Sequence, residues 1–281
     1  MSRPSPADKR KTFRELHARG CFVVPNPWNI GSARYLQGLG FKALATTSSG
    51  YAHSLGLADG AITFDMALAH YRELAEIADV PVNADFENGY ADEPGEVAEN
   101  VRLCVETGVA GLSIEDFTGD EADPLYPFDL TVARVRAARD AIDRTGTGVI
   151  FCARTEGFIH GRPDLAETIR RLKAFADAGA DCLYAPGIKT RDEIETVCKA
   201  VAPTAVNFLN SGAFGFTVAD IAAMGVRRIS VGGTMARVAM HAFIAAARGI
   251  AEQGTFDSFA GVISNAELNK FFSDDVKKRS S

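Results

Sequence analysis

The sequence predicts a (β/α)8 barrel of the TIM type. Three observations predict it: eight short apolar runs, amphipathic segments between them, and glycines where those segments stop. The runs are CFVVP (21–25), ALATTS (43–48), VPVNADF (80–86), GLSIED (111–116), GVIFCART (148–155), CLYAPG (182–187), AVNFL (205–209) and RISVGG (228–233). Parallel strands buried on both faces have this make-up, so the strands are expected to be apolar throughout. The intervening DMALAHYRELAEIA (65–78), EVAENVRLCVETG (96–108) and DLAETIRRLKAFADAG (164–179) place apolar residues at three- and four-residue spacing, as helices do. Gly108, Gly179 and Gly225 stand where a left-handed residue would turn helix into strand. A doubly wound open sheet is the competing architecture. It would place a G-x-G-x-x-G loop after the first strand, and VVPNPWNIGSARYL contains none.

Size and charge bound the rest. With 281 residues, 47% of them hydrophobic, the chain reads as one barrel domain over 1–281, with a helical extension from about residue 250 that includes DSFAGVISNAELNKFFSDD (257–275). A formal charge of -6 gives no concentrated basic face, so neither nucleic acid nor a membrane surface is an expected partner. No run approaches the ~18 apolar residues of a spanning helix, and MSRPSPADKRK lacks a signal peptide's apolar segment. A cytoplasmic location is the expectation. The five cysteines are isolated, without a C-x-x-C pair, which argues against a disulfide framework or zinc knuckle.

Barrel chemistry sits at the C-terminal ends of the strands. Those ends carry Thr47, Ser48 and Ser49; Asp85 and Glu87; Glu115 and Asp116; Arg154 and Glu156. Clustered carboxylates raise one another's pKa unless a cation shares them. A hard divalent ion, Mg2+ or alternatively Mn2+, suits oxygen donors of this kind, and the planar fork of Arg154 suits a carboxylate or phosphonate. A structural reading stays open beside this one, with Asp85 as a turn or cap residue and Glu115 and Asp116 paired to Arg154.

Four ordered segments, FKALATTSSGYAHSLG, PVNADFENGY, GLSIED and CARTEGFI, resemble the phosphoenolpyruvate mutase and isocitrate lyase superfamily over about Phe13 to Ala247. The resemblance implies a barrel whose last helix is swapped between subunits of a homodimer or homotetramer. It makes Asp85 the principal Mg2+ ligand, with Glu87, Glu115 and Asp59 as further metal-site acids, Asp59 through water. It makes Arg154 the residue that holds the substrate, and gives Thr47, Ser48 and Ser49 the grip on a substrate carboxylate. The activity it implies is cleavage or formation of a C-C or P-C bond beside a 2-oxo or 2-hydroxy acid, through an enolate.

The chain also departs from that pattern. DFTGDEADPLYPFD (116–129) lacks the lysine, cysteine and histidine of the lyase loop, Phe117 replaces the first lysine of the mutase loop, and Pro186 stands where mutases carry a histidine. Tyr126 is the candidate replacement acid, with packing as its alternative role; Asn207 is a candidate substrate contact or rim residue. His53 is a candidate mouth residue, and Lys189 raises a Schiff-base alternative. The expected function is a Mg2+-dependent lyase or hydrolase that cleaves a C-C bond in a small oxaloacetate- or methylisocitrate-like carboxylate. The alternatives are a P-C bond enzyme acting on a phosphonopyruvate-like acid and a non-catalytic 2-oxo acid binding paralogue.

Overall fold

A computed structural model describes residues 3–280 and closes them into a nearly complete barrel. Strands β1 (Phe22–Val24), β2 (Leu44–Ala45), β3 (Val82–Asp85), β4 (Gly111–Glu115), β5 (Ile150–Arg154), β6 (Cys182–Tyr184), β7 (Ala205–Leu209) and β8 (Arg228–Ser230) pair only in parallel. Their order is β1-β8-β7-β6-β5-β4-β3-β2. At the seam between β1 and β2 the Ala45 N–H donates to the Pro25 carbonyl at 3.1 Å. Helix α1 (Pro6–Ala18) precedes the barrel, α2 (Ile30–Gly38) follows β1, and α3 (Ser48–Ser54) and α4 (Phe64–Ile77) follow β2. One helix then follows each strand in turn: α5 (Pro94–Glu106), α6 (Phe128–Thr145), α7 (Leu165–Asp177), α8 (Arg191–Val201), α9 (Val218–Ala223) and α10 (Thr234–Arg248). Helix α11 (Asn265–Ser280) is the last element among the described residues. Gly108, Gly179 and Gly225 adopt φ of +92°, +98° and +96°, the left-handed turns expected of them.

Because strand side chains alternate, each strand feeds two separate cores. Leu112, Ile114, Phe151, Ala153, Val206 and Phe208 join the large cluster shared with the surrounding helices. The opposite set lines the barrel. Phe13 of α1 plugs the N-terminal end among Val24, Ala43, Ala45, Ala110 and Ile150, and a reciprocal capping box between Ser5 and Asp8 starts that helix. Gly111 is where the plug is tightest, since a Cβ there would lie 2.6 Å from the Phe13 ring and 2.8 Å from Asn83 Oδ1. Gly111→Ala is therefore expected to cost about 1–3 kcal/mol by overpacking, measured as a lower urea midpoint with unchanged slope.

The middle of the barrel departs from the expectation of strands apolar throughout. Arg228, 3% exposed, donates to Asn207 Oδ1 at 2.8 Å and to Asn83 Oδ1 at 3.2 Å. Asn207 Nδ2 in turn donates to Ser230 Oγ at 2.9 Å. Amide oxygens that accept its protons make a buried guanidinium tolerable here. Asn207, a candidate substrate contact, is thus engaged at both ends of its amide in an interior layer.

Candidate active site

Arg154 stands at the centre of the barrel mouth. Its Nη1 donates to Asp85 Oδ1 at 2.6 Å and lies 3.0 Å from Glu115 Oε2; its Nε donates to Glu156 Oε1 at 2.8 Å. Strand register produces this meeting: Glu115 lies opposite Arg154 and Arg154 opposite Tyr184, whose ring sits 4.9 Å from the guanidinium carbon. Three carboxylates share one guanidinium, so the cluster carries surplus negative charge when all are ionised. Burial, together with the neighbouring acids, pushes Glu115 well above the usual carboxylate range, and burial raises Glu156, although Arg154 opposes both shifts.

Asp85 is fixed from several sides. Its Oδ2 accepts from Ser48 N at 3.0 Å and from Ser48 Oγ at 3.1 Å. Its backbone N–H donates to Thr46 Oγ1 at 2.8 Å, and Tyr71 donates its hydroxyl to the Asp85 carbonyl. The chain then turns sharply. Glu87 adopts φ +43°, a left-handed conformation that costs a non-glycine residue about 1–3 kcal/mol and is retained mostly at functional positions. Its carbonyl accepts the Glu115 N–H at 2.9 Å, which ties the turn to β4. Glu87 Oε1 is buried without a hydrogen-bond partner. Burial, then the charges of Asp85 and Asp59, push the Glu87 carboxyl up to about 7. Asp59 lies in an exposed loop, yet desolvation of its carboxyl and the charge of Asp85 raise it as well.

These residues fit magnesium in kind. Among the described residues, no three His, Cys, Asp or Glu side chains stand together as a ready-made metal cage. Magnesium does not need one, because it keeps several waters and takes one or two carboxylates. An orphaned buried carboxylate oxygen beside two further acids is the local feature a hard cation would satisfy.

Other predicted residues lie apart from this cluster. Asp116 points to the opposite side of β4 from Glu115, as strand alternation requires, and accepts from Arg171 Nη1 and Glu156 N, both at 2.9 Å. Its place is structural. Thr47 caps α3, with Oγ1 accepting from Gly50 N at 3.3 Å and lying 3.2 Å from Ser49 Oγ. Tyr126 is buried; its hydroxyl donates to Asp92 and accepts from Asn88, while Arg134 covers its ring at 4.0 Å. That network anchors the β4–α6 loop, and none of its bonds reaches Arg154. His53 and Lys189 are exposed, so Lys189 lacks the desolvation that a Schiff-base lysine needs.

Known proteins resemble this chain over most of its length. The sequence model of the phosphoenolpyruvate phosphomutase family matches residues 13–251. The crystal structure of a lyase/mutase candidate from Burkholderia cenocepacia J2315 is 45% identical, with a TM-score of 0.92, covering 95% of this chain and 97% of that one. The 2-methylisocitrate lyase of Escherichia coli K12 is 30% identical over 86% of this chain and 85% of its own. The oxaloacetate decarboxylase of Pseudomonas putida GB-1 is 30% identical over 71% and 70%. The chain belongs to the phosphoenolpyruvate phosphomutase family, within the phosphoenolpyruvate mutase/isocitrate lyase superfamily of lyases and mutases.

Proposed function

We propose that this protein is a magnesium-dependent lyase or hydrolase, with manganese as an alternative ion, that cleaves a C-C bond in a small 2-oxo or 2-hydroxy carboxylate through an enolate intermediate. The observation that carries this reading is the surplus of acid around Arg154, with the unpartnered Glu87 oxygen beside it. Asp85, with Glu87, Glu115 and Asp59 around it, would hold the ion. When bound, magnesium supplies the positive charge from which a developing enolate oxygen gains most. Arg154, paired here with three protein carboxylates, would exchange one of them for the substrate's carboxylate, which its fork suits. The Ser48 N–H and hydroxyl hold Asp85 in orientation, while the Thr47 and Ser49 hydroxyls lie 3.2 Å apart at the start of α3. The relatives that act on methylisocitrate and oxaloacetate favour substrates of those two kinds.

Purified protein given Mg2+ and a panel of oxaloacetate, 2-methylisocitrate, 2,3-dimethylmalate and phosphonopyruvate should release pyruvate from one of the carbon acids. Release from phosphonopyruvate alone would move the assignment to P-C chemistry. Saturable binding of 2-oxo acids without turnover would make the protein a binding paralogue.

We also propose that the protein works as a homodimer or homotetramer that exchanges α10. That helix leaves the barrel with only Ala236 buried, while Val238 and Phe243 are 65% and 66% exposed. An apolar groove of about 580 Å³, lined by Trp28, Tyr35, Met235, Val238 and Phe272 among others, runs between α2, α10 and α11. Exposed apolar surface of this extent marks an interaction face. Sedimentation should give two or four chain masses for the natural protein, and Val238→Glu with Phe243→Glu should shift it to the monomer.

A further inference from the structure

The mouth cluster consists of carboxylates around a guanidinium, and an imidazole near it would add a group whose ordinary range spans neutral pH. Of the five histidines, His17 and His70 are buried, and His53 and His241 are exposed. His160 differs. It lies in the β5–α7 loop, and its backbone N–H donates to the Glu156 carbonyl at 3.2 Å. Its ring stacks on Phe117 with centroids 3.8 Å apart and planes 8° apart. Phe117 sits two residues past Glu115, where β4 ends, so the stack places the imidazole between the ends of β4 and β5.

The ring is also held by polar contacts. His160 Nδ1 lies 3.1 and 3.2 Å from the two carboxylate oxygens of Glu121. A carboxylate only accepts, so Nδ1 carries a proton and Nε2 is the nitrogen left to exchange one. Among the described residues Nε2 has no hydrogen-bond partner. The side chain is 16% exposed, which leaves it reachable. Its link to the mouth runs through Glu156, whose carbonyl accepts the His160 N–H at 3.2 Å and whose carboxylate is bonded to Arg154 Nε. An imidazole oriented by a carboxylate, fixed in plane and free at its other nitrogen is the arrangement of a general acid-base. The β4–α6 loop holds this frame in place, through the Phe117–Leu125 bridge and the Arg162 contact with the Ala122 carbonyl at 3.4 Å.

We propose that His160 is the proton donor of the reaction, delivering the Nε2 proton to the enolate carbon. This rests on the enolate reading of the site. With an oxaloacetate-like 2-oxo acid, the bond to the distal carboxylate breaks, CO2 leaves, and the bond's electron pair enters the enolate of pyruvate. The enolate carbon then takes the proton, the N–H electron pair stays on the imidazole, and solvent restores the proton. In reverse, the neutral imidazole removes a proton from the methyl group of pyruvate.

That reverse step gives a test independent of the natural substrate. Pyruvate and Mg2+ are incubated with the full-length protein in D2O, and loss of the methyl signal is followed by proton NMR, while calorimetry measures oxalate binding in the presence of Mg2+. The natural protein should exchange the methyl protons. His160→Gln and His160→Phe, the second keeping the stack on Phe117, should slow exchange by about 100-fold or more and leave oxalate affinity within about twofold. Glu121→Gln should fall between. Exchange by His160→Gln close to the natural rate overturns the proposal. So does a natural protein that binds oxalate with Mg2+ and exchanges nothing, although the enolate site would then survive; failure to bind oxalate removes the enolate reading itself.

Discussion

Asp85→Ala should lower pyruvate formation by about 10³-fold and abolish its dependence on Mg2+, with little change in melting temperature. Asp85 is where the substrate-facing groups converge, since one carboxylate oxygen receives Ser48 and the other receives Arg154. Alanine removes the principal oxygen donor of the proposed metal site. The fold should tolerate the loss because Arg154 keeps Glu115 and Glu156, and no buried charge is left alone. A Mg2+ titration of initial rates, run beside a thermal melt, checks both halves. Activity that still rises with Mg2+ would remove Asp85 from the metal site.

Arg154→Met should abolish measurable turnover and also weaken the fold, in a way that depends on pH. Removing the one cation leaves Asp85, Glu115 and Glu156 crowded in a largely buried mouth, and breaking such a group costs about 3–5 kcal/mol when the remaining charges stay ionised. Glu115 and Glu156 already have raised pKa values, and Arg154 is the group holding them down. The sign then follows. A carboxyl whose pKa is higher folded than unfolded binds more protons in the native state, so stability falls as pH rises through that range. The melting temperature of Arg154→Met, measured in a chelator, should lie further below the natural protein at pH 8 than at pH 5. An equal deficit at both values would mean that the acids do not depend on Arg154 for their charge.

Much of this architecture was legible in the sequence, because the signals are local. Strand and helix periods are set by neighbouring residues, and the glycines after α5, α7 and α9 mark turns that side chains resist. The meeting of Asp85, Glu115 and Arg154 was legible for a further reason: parallel strands of a barrel end on one face. What escaped depends on partners distant in sequence. Asp116 finds Arg171, 55 residues on, and Asn207 is drawn to Arg228, 21 residues on. Tyr126 meets Asp92, 34 residues before it, a partner that ties its hydroxyl to the β3–α5 segment. His160 gave no sequence signal, since its stack on Phe117 and its bond to Glu121 exist only once two loops are folded together. The left-handed turn at Glu87 was half visible in the Asn88-Gly89 pair, but that pair did not show which residue would bear the strain.

The most direct test of the central claim is a crystal structure with Mg2+ and oxalate, a mimic of the pyruvate enolate. The expected result is the ion within coordination distance of an Asp85 carboxylate oxygen, with Arg154 Nη1 moved from Asp85 to the oxalate. Oxalate seated elsewhere, or the 2.6 Å bond between Arg154 and Asp85 intact with no ion beside it, would contradict the account.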